Sequence, residues 1–148
     1  MNQKALKTLE YTKIIAQLES HAASPLGKAL CRDLVPSSDL EEVRTWQAQT
    51  TDAADRVRLK GTVSFSGLRD IGSSLKRLEI GSALSIQEIL AVCGLLENTS
   101  RVKTYSRKER NDLPGDSLDS MFDGLSPLTP LSTEIRRCIL SEEEISDD

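Results

Sequence analysis

Apolar residues recur every three or four positions along much of the chain, which is the spacing of one face of a helix. In residues 4–22 this pattern predicts an amphipathic helix. Ser24 followed by Pro25 predicts the cap and first position of a second helix, which runs to about Leu34. Pro36 ends it, because proline cannot continue the helical hydrogen-bond ladder. We therefore expect two helices at the start of the chain.

The next stretch predicts a long helix that opens with a capping box. Ser38 and Glu41 have the spacing at which each side chain bonds the other residue's backbone N–H. The apolar stripe of this helix consists of Leu40, Val43, Trp46, Thr50, Ala53, Ala54 and Val57. Gly61 is the predicted stop, and the turn formers in residues 61–67 predict a loop.

Two more helices are predicted before residue 106. The first is indicated by apolar residues three and four apart, namely Leu68, Ile71, Leu75 and Leu78. Gly81 would terminate it. Ser85 and Glu88 then form a second capping box ahead of the most apolar stretch of the chain, which predicts a helix to about Tyr105. We expect this helix to be central to the fold.

The helical pattern fades between Ser106 and Pro130, where proline and glycine turn signals predict loops with one helical turn at residues 118–122. Leu131 to Ile139 have the pattern of a final short helix. No segment alternates as a strand does, so the predicted class is all-α, an irregular array of packed helices. The predicted organisation is a helical segment (1–105), a loop-rich connector (106–130), and a short helix with an acidic end (131–148).

Composition narrows the function classes. Aromatic residues make up 3% of the 148 residues, which argues against a base-stacking platform or an aromatic-rich sandwich core. The net charge of −4 arises at the end of the chain, in Glu142, Glu143, Glu144, Asp147 and Asp148. Without these five, 18 acids stand against 19 bases. The acidic end is either a solvated tail or the interior of a domain that continues.

The sequence predicts no catalytic, cofactor-binding or metal-ligating residue in this segment. Cys31, Cys93 and Cys138 are far apart and form no C-x-x-C pair, and His21 is the only histidine. Neither of the glycine-rich phosphate-binding motifs occurs. The charged N-terminal stretch lacks the apolar run of a signal peptide or membrane span, so we expect a cytoplasmic protein with no membrane partner.

A basic cluster is the one candidate binding site. Its members fall within ten residues and are Arg101, Lys103, Arg107, Lys108 and Arg110. Such a cluster can contact nucleic-acid phosphates, with a salt-dependent affinity. The alternative is a solvated helix end, where basic side chains complement the negative end of the helix dipole.

Several short blocks, in this order, resemble the N-terminal segment of the MutS type 2 endonuclease family. They are LKTLEYTKIIAQL, SPLGKAL, LVPSSDLEEV and GLRDIGSSLKRLEIGSALS. Within them the family's pattern is matched by Leu9-Glu10-Tyr11, by Gly27-Lys28, by Asp70-Ile71 and by Leu75-Lys76-Arg77. The resemblance covers residues 6–105 and is weaker in residues 106–130.

The resemblance implies that this segment is the beginning of a much longer protein. Family members have a helical core and lever, a clamp, a dimerising P-loop ATPase that uses ATP and magnesium, and commonly a C-terminal Smr nuclease domain. They bind branched or mismatched DNA and suppress homologous recombination, and in some bacteria they split collided ribosomes. The partners implied are the rest of the chain, a second copy in a homodimer, and DNA or the ribosome.

Three functions follow from these observations. The favoured one is a mechanical segment of the core and lever helices, which transmits conformational change and contains no catalytic motif. The second is a free-standing helical adaptor that binds a protein partner through an exposed apolar stripe. The third is autonomous nucleic-acid binding through the basic cluster.

Overall fold

The computed structural model describes residues 3–107 and 115–139 of the chain, and within these ranges it contains eight α-helices and no strand. The predicted all-α class is confirmed. The helices are α1 (Gln3–Thr8), α2 (Tyr11–His21), α3 (Pro25–Asp33), α4 (Leu40–Lys60), α5 (Gly72–Glu79), α6 (Ile86–Ser106), α7 (Asp119–Asp123) and α8 (Thr129–Cys138). The acidic end and residues 108–114 of the connector lie outside the described residues, so the three-part organisation stays a prediction.

The first predicted helix is in fact two. Glu10 has a left-handed backbone conformation (φ 51°), which separates α1 from α2 and interrupts the single helix expected over residues 4–22. The next prediction is confirmed: α3 begins at Pro25, and the Ser24 hydroxyl accepts a hydrogen bond from the Gly27 N–H at 3.0 Å. Helices α2 and α3 pack together as a pair.

The long helix α4 is present, but the Ser38–Glu41 capping box is wrong. Asp39 caps α4, because its carboxylate accepts bonds from the backbone N–H groups of Glu41 (2.8 Å) and Glu42 (3.1 Å). An ionised carboxylate also complements the positive end of the helix dipole. The helix ends at Gly61 as predicted, where φ is 76°, a conformation that favours glycine.

Helix α5 begins later than its apolar pattern indicates. The Asp70 carboxylate accepts a bond from the Gly72 N–H at 2.8 Å, and this local turn leaves Leu68 and Ile71 in the loop before the helix. Gly81, with φ 81°, follows the end of α5 as expected.

Helix α6 is central, as predicted. Its capping box is complete: the Ser85 hydroxyl accepts from the Glu88 N–H, and the Glu88 carboxylate accepts from the Ser85 N–H at 2.9 Å. Helices α7 and α8 both pack against α6. The predicted helical turn at 118–122 is α7, one residue later than expected, and the predicted final helix is α8.

The buried apolar core within the described residues is small. It consists of Cys93, Val102 and Ile139, all in or beside α6 and α8. Many large apolar side chains are on the surface, as the 74% exposure of Leu30 in α3 illustrates.

Candidate nucleic-acid interface

The described members of the predicted basic cluster, Arg101, Lys103 and Arg107, lie in the C-terminal half of α6 and at its end. Arg101 is exposed and lines a groove of about 460 Å³ between α6 and α8. Across the groove, Arg136 of α8 forms a two-pronged ion pair with Glu97, with distances of 2.7 and 3.0 Å. The packing of α8 on α6 therefore places two guanidinium groups beside one groove.

Lys103 makes contacts within the fold that the sequence did not indicate. Its ammonium group donates to the backbone carbonyls of Phe122 (2.8 Å) and Asp123 (3.0 Å) at the end of α7. This interaction satisfies carbonyl groups that have no partner within the helix. The structure thus shows Lys103 bonded to the end of α7, and its contact with phosphate stays a prediction.

The rest of the cluster is only partly described. Arg107 is exposed, while Lys108 and Arg110 lie outside the described residues. Backbone carbonyl groups at the end of α6 accept hydrogen bonds from Lys60 of α4. The acceptors are the carbonyls of Tyr105 (3.3 Å) and Arg107 (2.8 Å). Phosphate contact by the cluster stays a prediction.

The groove retains a negative group between its arginines. Hydrogen bonds from Arg136 lower the pKa of Glu97, so this carboxylate stays ionised. The hydroxyl-bearing residues Ser100, Thr129 and Thr133 also line the groove. Sequence reasoning missed Arg136, although the Arg136-Arg137 pair in the last turn of the final helix was a usable signal.

A second polar cluster was not predicted. Arg56, near the end of α4, donates from Nε and Nη2 to the two carboxylate oxygens of Asp116 at 2.6 Å each, and from Nη2 to Asp119 at 2.6 Å. Its guanidinium also lies 4.6 Å from the centre of the Phe122 ring. The side chain is 9% exposed. Hydrogen bonding to Asp116 raises the pKa of Arg56, so the charge is permanent.

Two further residues with side chains that could react, Cys93 and His21, have different surroundings. Cys93 is fully buried, and burial raises the pKa of its thiol, which disfavours the nucleophilic thiolate. His21 is an exposed residue at the end of α2. Within the described ranges, no group of three His, Cys, Asp or Glu residues is placed to hold a metal ion. None of the described helices has the length and apolar character needed to cross a membrane.

The fold and the groove define an all-α segment with an incomplete core and a partly basic surface. No family model matches the chain. Over 148 residues it is 48% identical to Endonuclease MutS2 of Agathobacter rectalis. It is also 47% identical over 153 residues to that of Lachnoclostridium phytofermentans, and 40% identical over 149 residues to that of Acetivibrio thermocellus.

Each of these matches includes the whole of this chain and 19% of the relative. The chain is thus similar over its whole length to MutS2 endonucleases and matches an N-terminal segment of them. It spans about a fifth of the length of the curated relatives. The resemblance stated from the sequence blocks is confirmed.

Proposed function

We propose that this segment is the proximal part of the core and lever helices of a MutS2 protein and transmits conformational change. In this proposal the intact protein is a cytoplasmic homodimer that binds ATP and magnesium, acts on DNA as an endonuclease and suppresses recombination. Action on collided ribosomes is a further part of the proposal. No catalytic role is assigned to the residues of this segment.

The observation that carries the proposal is the set of exposed apolar side chains on α2 and α3. Leu18, Leu26 and Leu30 are 43%, 40% and 74% exposed, and Ile14 is 54% exposed. Apolar surface of this extent normally becomes buried against a neighbour. The relatives are about five times longer than this chain. We therefore infer that the rest of such a longer polypeptide covers these apolar side chains.

A packed helical neighbour would also explain how the segment transmits motion. Closely packed interiors move between discrete arrangements, because they cannot deform continuously. A displacement at the ATPase would then reach the clamp through these helices as a shift of packed elements.

The test compares Leu30→Asn with Lys28→Asn in the intact protein. Both positions are in α3, but only the first removes apolar contact with the proposed neighbour. We expect Leu30→Asn to lose most of the stimulation of ATP hydrolysis by branched DNA or ribosomes, while hydrolysis without them is retained. Lys28→Asn should behave as the parent does. Full stimulation in a correctly folded Leu30→Asn protein would exclude the proposal.

A second candidate function, direct nucleic-acid contact, is favoured by the two guanidinium groups at the α6–α8 groove. Each phosphate contact that is removed should lower the dependence of log affinity on log salt by about one unit. Arg101→Ala should therefore weaken DNA or RNA binding and reduce the salt slope, with Lys28→Ala on α3 as the control. Unchanged affinity and slope would eliminate Arg101 as a contact.

The adaptor alternative makes a different prediction for the isolated chain. A free-standing adaptor should unfold in one cooperative thermal transition, whereas a segment of a larger core should melt weakly or associate. Calorimetry of the 148-residue chain separates these two outcomes.

A further inference from the structure

Helix α4 has one polar face that bonds to the rest of the described structure. Asp52, Arg56 and Lys60 are spaced four residues apart, so they lie on the same side of the helix. All three lie in the C-terminal half of α4. The residues of its apolar stripe are mostly exposed, including Leu40 (60%), Trp46 (38%) and Val57 (46%).

The partners of this face all lie near the end of α6 or at α7. Asp52 accepts bonds from the backbone N–H (2.9 Å) and hydroxyl (2.5 Å) of Ser117. Arg56 pairs with Asp116 and Asp119, as described above. Lys60 donates to carbonyls at the end of α6, and the Tyr105 hydroxyl returns a bond to the Gly61 carbonyl at 3.0 Å. We call these contacts the α4 seam.

The α4 seam buries less apolar surface than the α6–α8 contact does. Helices α6 and α8 form a close pair that buries Cys93, whereas α4 belongs to none of the close helix pairs. The aromatic rings at the seam, Phe122 and Tyr105, face cationic groups of α4 at 4.6 and 5.8 Å. The seam therefore consists mainly of ion pairs and hydrogen bonds.

This chemistry affects what happens when the two sides separate. Opening an apolar contact exposes surface that water disfavours, in proportion to its area. Opening a polar contact lets both sides hydrogen-bond to water, which offsets most of the lost interaction. A polar seam at one end of a 21-residue helix is thus suited to opening and closing, or to rotation about that end.

We propose that the α4 seam is a separable hinge, about which α4 changes its position relative to the α6–α8 pair. Movement about the seam would displace the N-terminal half of α4, which includes Trp46. The role of this motion in transmission rests on the proposed function, but the existence of the hinge does not.

The test is a distance measurement in the intact protein. Spin labels are carried on unnatural amino acids at Arg44 and Glu134, which are exposed residues of α4 and α8. Cys31 and Cys138 are replaced by Ala in every variant, and Cys93 is replaced by Ala in all but the control. In the seam variant, Asp52→Cys and Ser117→Cys allow a cross-link across the seam, because these two short side chains are in hydrogen-bond contact. In the control, Ser132→Cys allows one between α6 and α8 with the native Cys93, whose thiol lies 3.6 Å from the Ser132 carbonyl.

We expect the labelled parent to show a broad or two-peaked distribution of distances between the labels. Oxidation of the seam variant should reduce it to one narrow peak, and reduction should restore the breadth. Oxidation of the control variant should leave the breadth unchanged. A single narrow peak in the uncross-linked parent, with and without nucleotide, would overturn the hinge.

The measurement also separates the hinge from the proposed function. If the distance distribution is broad but does not change when ATP or DNA is added, the hinge is supported. The same result contradicts the transmission of conformational change through the hinge. A second variant, Arg56→Met with Asp116→Leu and Asp119→Leu, tests the chemistry without a cross-link. Because it makes the seam apolar, we expect a narrower distribution, and unchanged breadth would count against the hinge.

Discussion

The α6–α8 pair and the α2–α3 pair are both close helix contacts, but only the first buries its apolar side chains. Cys93 and Val102 of α6 are 0% and 6% exposed, whereas Ile14 of α2 and Leu30 of α3 are 54% and 74% exposed. The first pair contains buried apolar side chains. The second pair has amphipathic helices that pack on each other but leave several apolar side chains exposed within the described residues.

The difference shows how far burial explains the apolar residues of each region. Burial explains the identity of Cys93 and Val102 in the α6–α8 region. Burial within the described residues does not explain the apolar identity of exposed residues such as Leu30 on α3, and the proposed function supplies a neighbour for them. Substitutions that look equal on a helical pattern should therefore have unequal effects.

The largest expected contrast is between Val102→Ala and Leu30→Ala in the isolated chain. Truncating buried Val102 leaves a cavity and should lower the free energy of unfolding by about 2 kcal/mol. Truncating Leu30, which is already exposed, should change it by less than about 0.5 kcal/mol. Urea unfolding monitored by circular dichroism measures both. Equal losses would contradict the comparison.

The same pair of substitutions sharpens the comparison in the intact protein. If α3 is covered by the rest of the polypeptide, the cost of Leu30→Ala should rise toward that of Val102→Ala. A cost that stays near zero there would show that the α3 face remains open.

A somewhat smaller effect is expected at Asn98, which ties a loop to the stable pair. Asn98 is 3% exposed and donates from Nδ2 to the Ser64 carbonyl at 2.7 Å. Asn98→Ala leaves that carbonyl without its bond and should cost about 1.5 kcal/mol. Thr99→Ala, which removes a hydroxyl bonded within the same helix, is the control. A loss no greater than that of the control would contradict the tie.

The elements themselves followed from the sequence because their signals are local. Ser24-Pro25, Gly61 and the Ser85–Glu88 box each act within a few residues, and each is found where expected. The errors were local competitions. Asp39 caps α4 in place of Ser38 because its carboxylate reaches two N–H groups, and Asp70 delays α5 by forming a turn.

The candidate site could be predicted only in part. Arg101 was recognised from charge density, but Arg136 joins it only because α8 packs on α6. The Arg56 cluster joins residues 60 and 63 positions apart, and no spacing rule reports such a pairing. The bonds from Lys103 to the end of α7 could not be predicted either, because a sequence does not show that α7 ends beside it.

A change of opposite sign is expected at Leu128, before α8. This residue has φ 41° and ψ 47°, a left-handed conformation that costs a residue with a side chain about 1 to 2 kcal/mol. Leu128→Gly relieves this cost. Part of the gain is offset because glycine has greater conformational entropy in the unfolded chain, so the free energy of unfolding should rise by up to about 1 kcal/mol. Thermal unfolding measures the gain.

The control for Leu128 is Leu131→Gly within α8. Leu131 is also partly exposed, but its backbone is helical. Glycine at this position should therefore lower the free energy of unfolding by about 1 kcal/mol. Two shifts of the same sign would show that backbone strain at Leu128 is not the cause.

The smallest expected effect comes from the Glu97–Arg136 pair on the groove side of the α6–α8 contact. Hydrogen bonds from Arg136 lower the pKa of Glu97 below its usual 4.5, so the folded state favours the ionised form. The stabilisation is fully present above pH 4.5 and is lost as the pH falls through the lower pKa of the folded state. Both side chains are more than a third exposed, so we expect the ion pair to contribute about 0.5 kcal/mol to the free energy of unfolding.

The substitution Glu97→Gln should remove this contribution at pH 7 and a smaller amount at pH 3, measured by urea unfolding. An equal loss at both pH values would mean that packing, and not charge, holds Glu97 against α8.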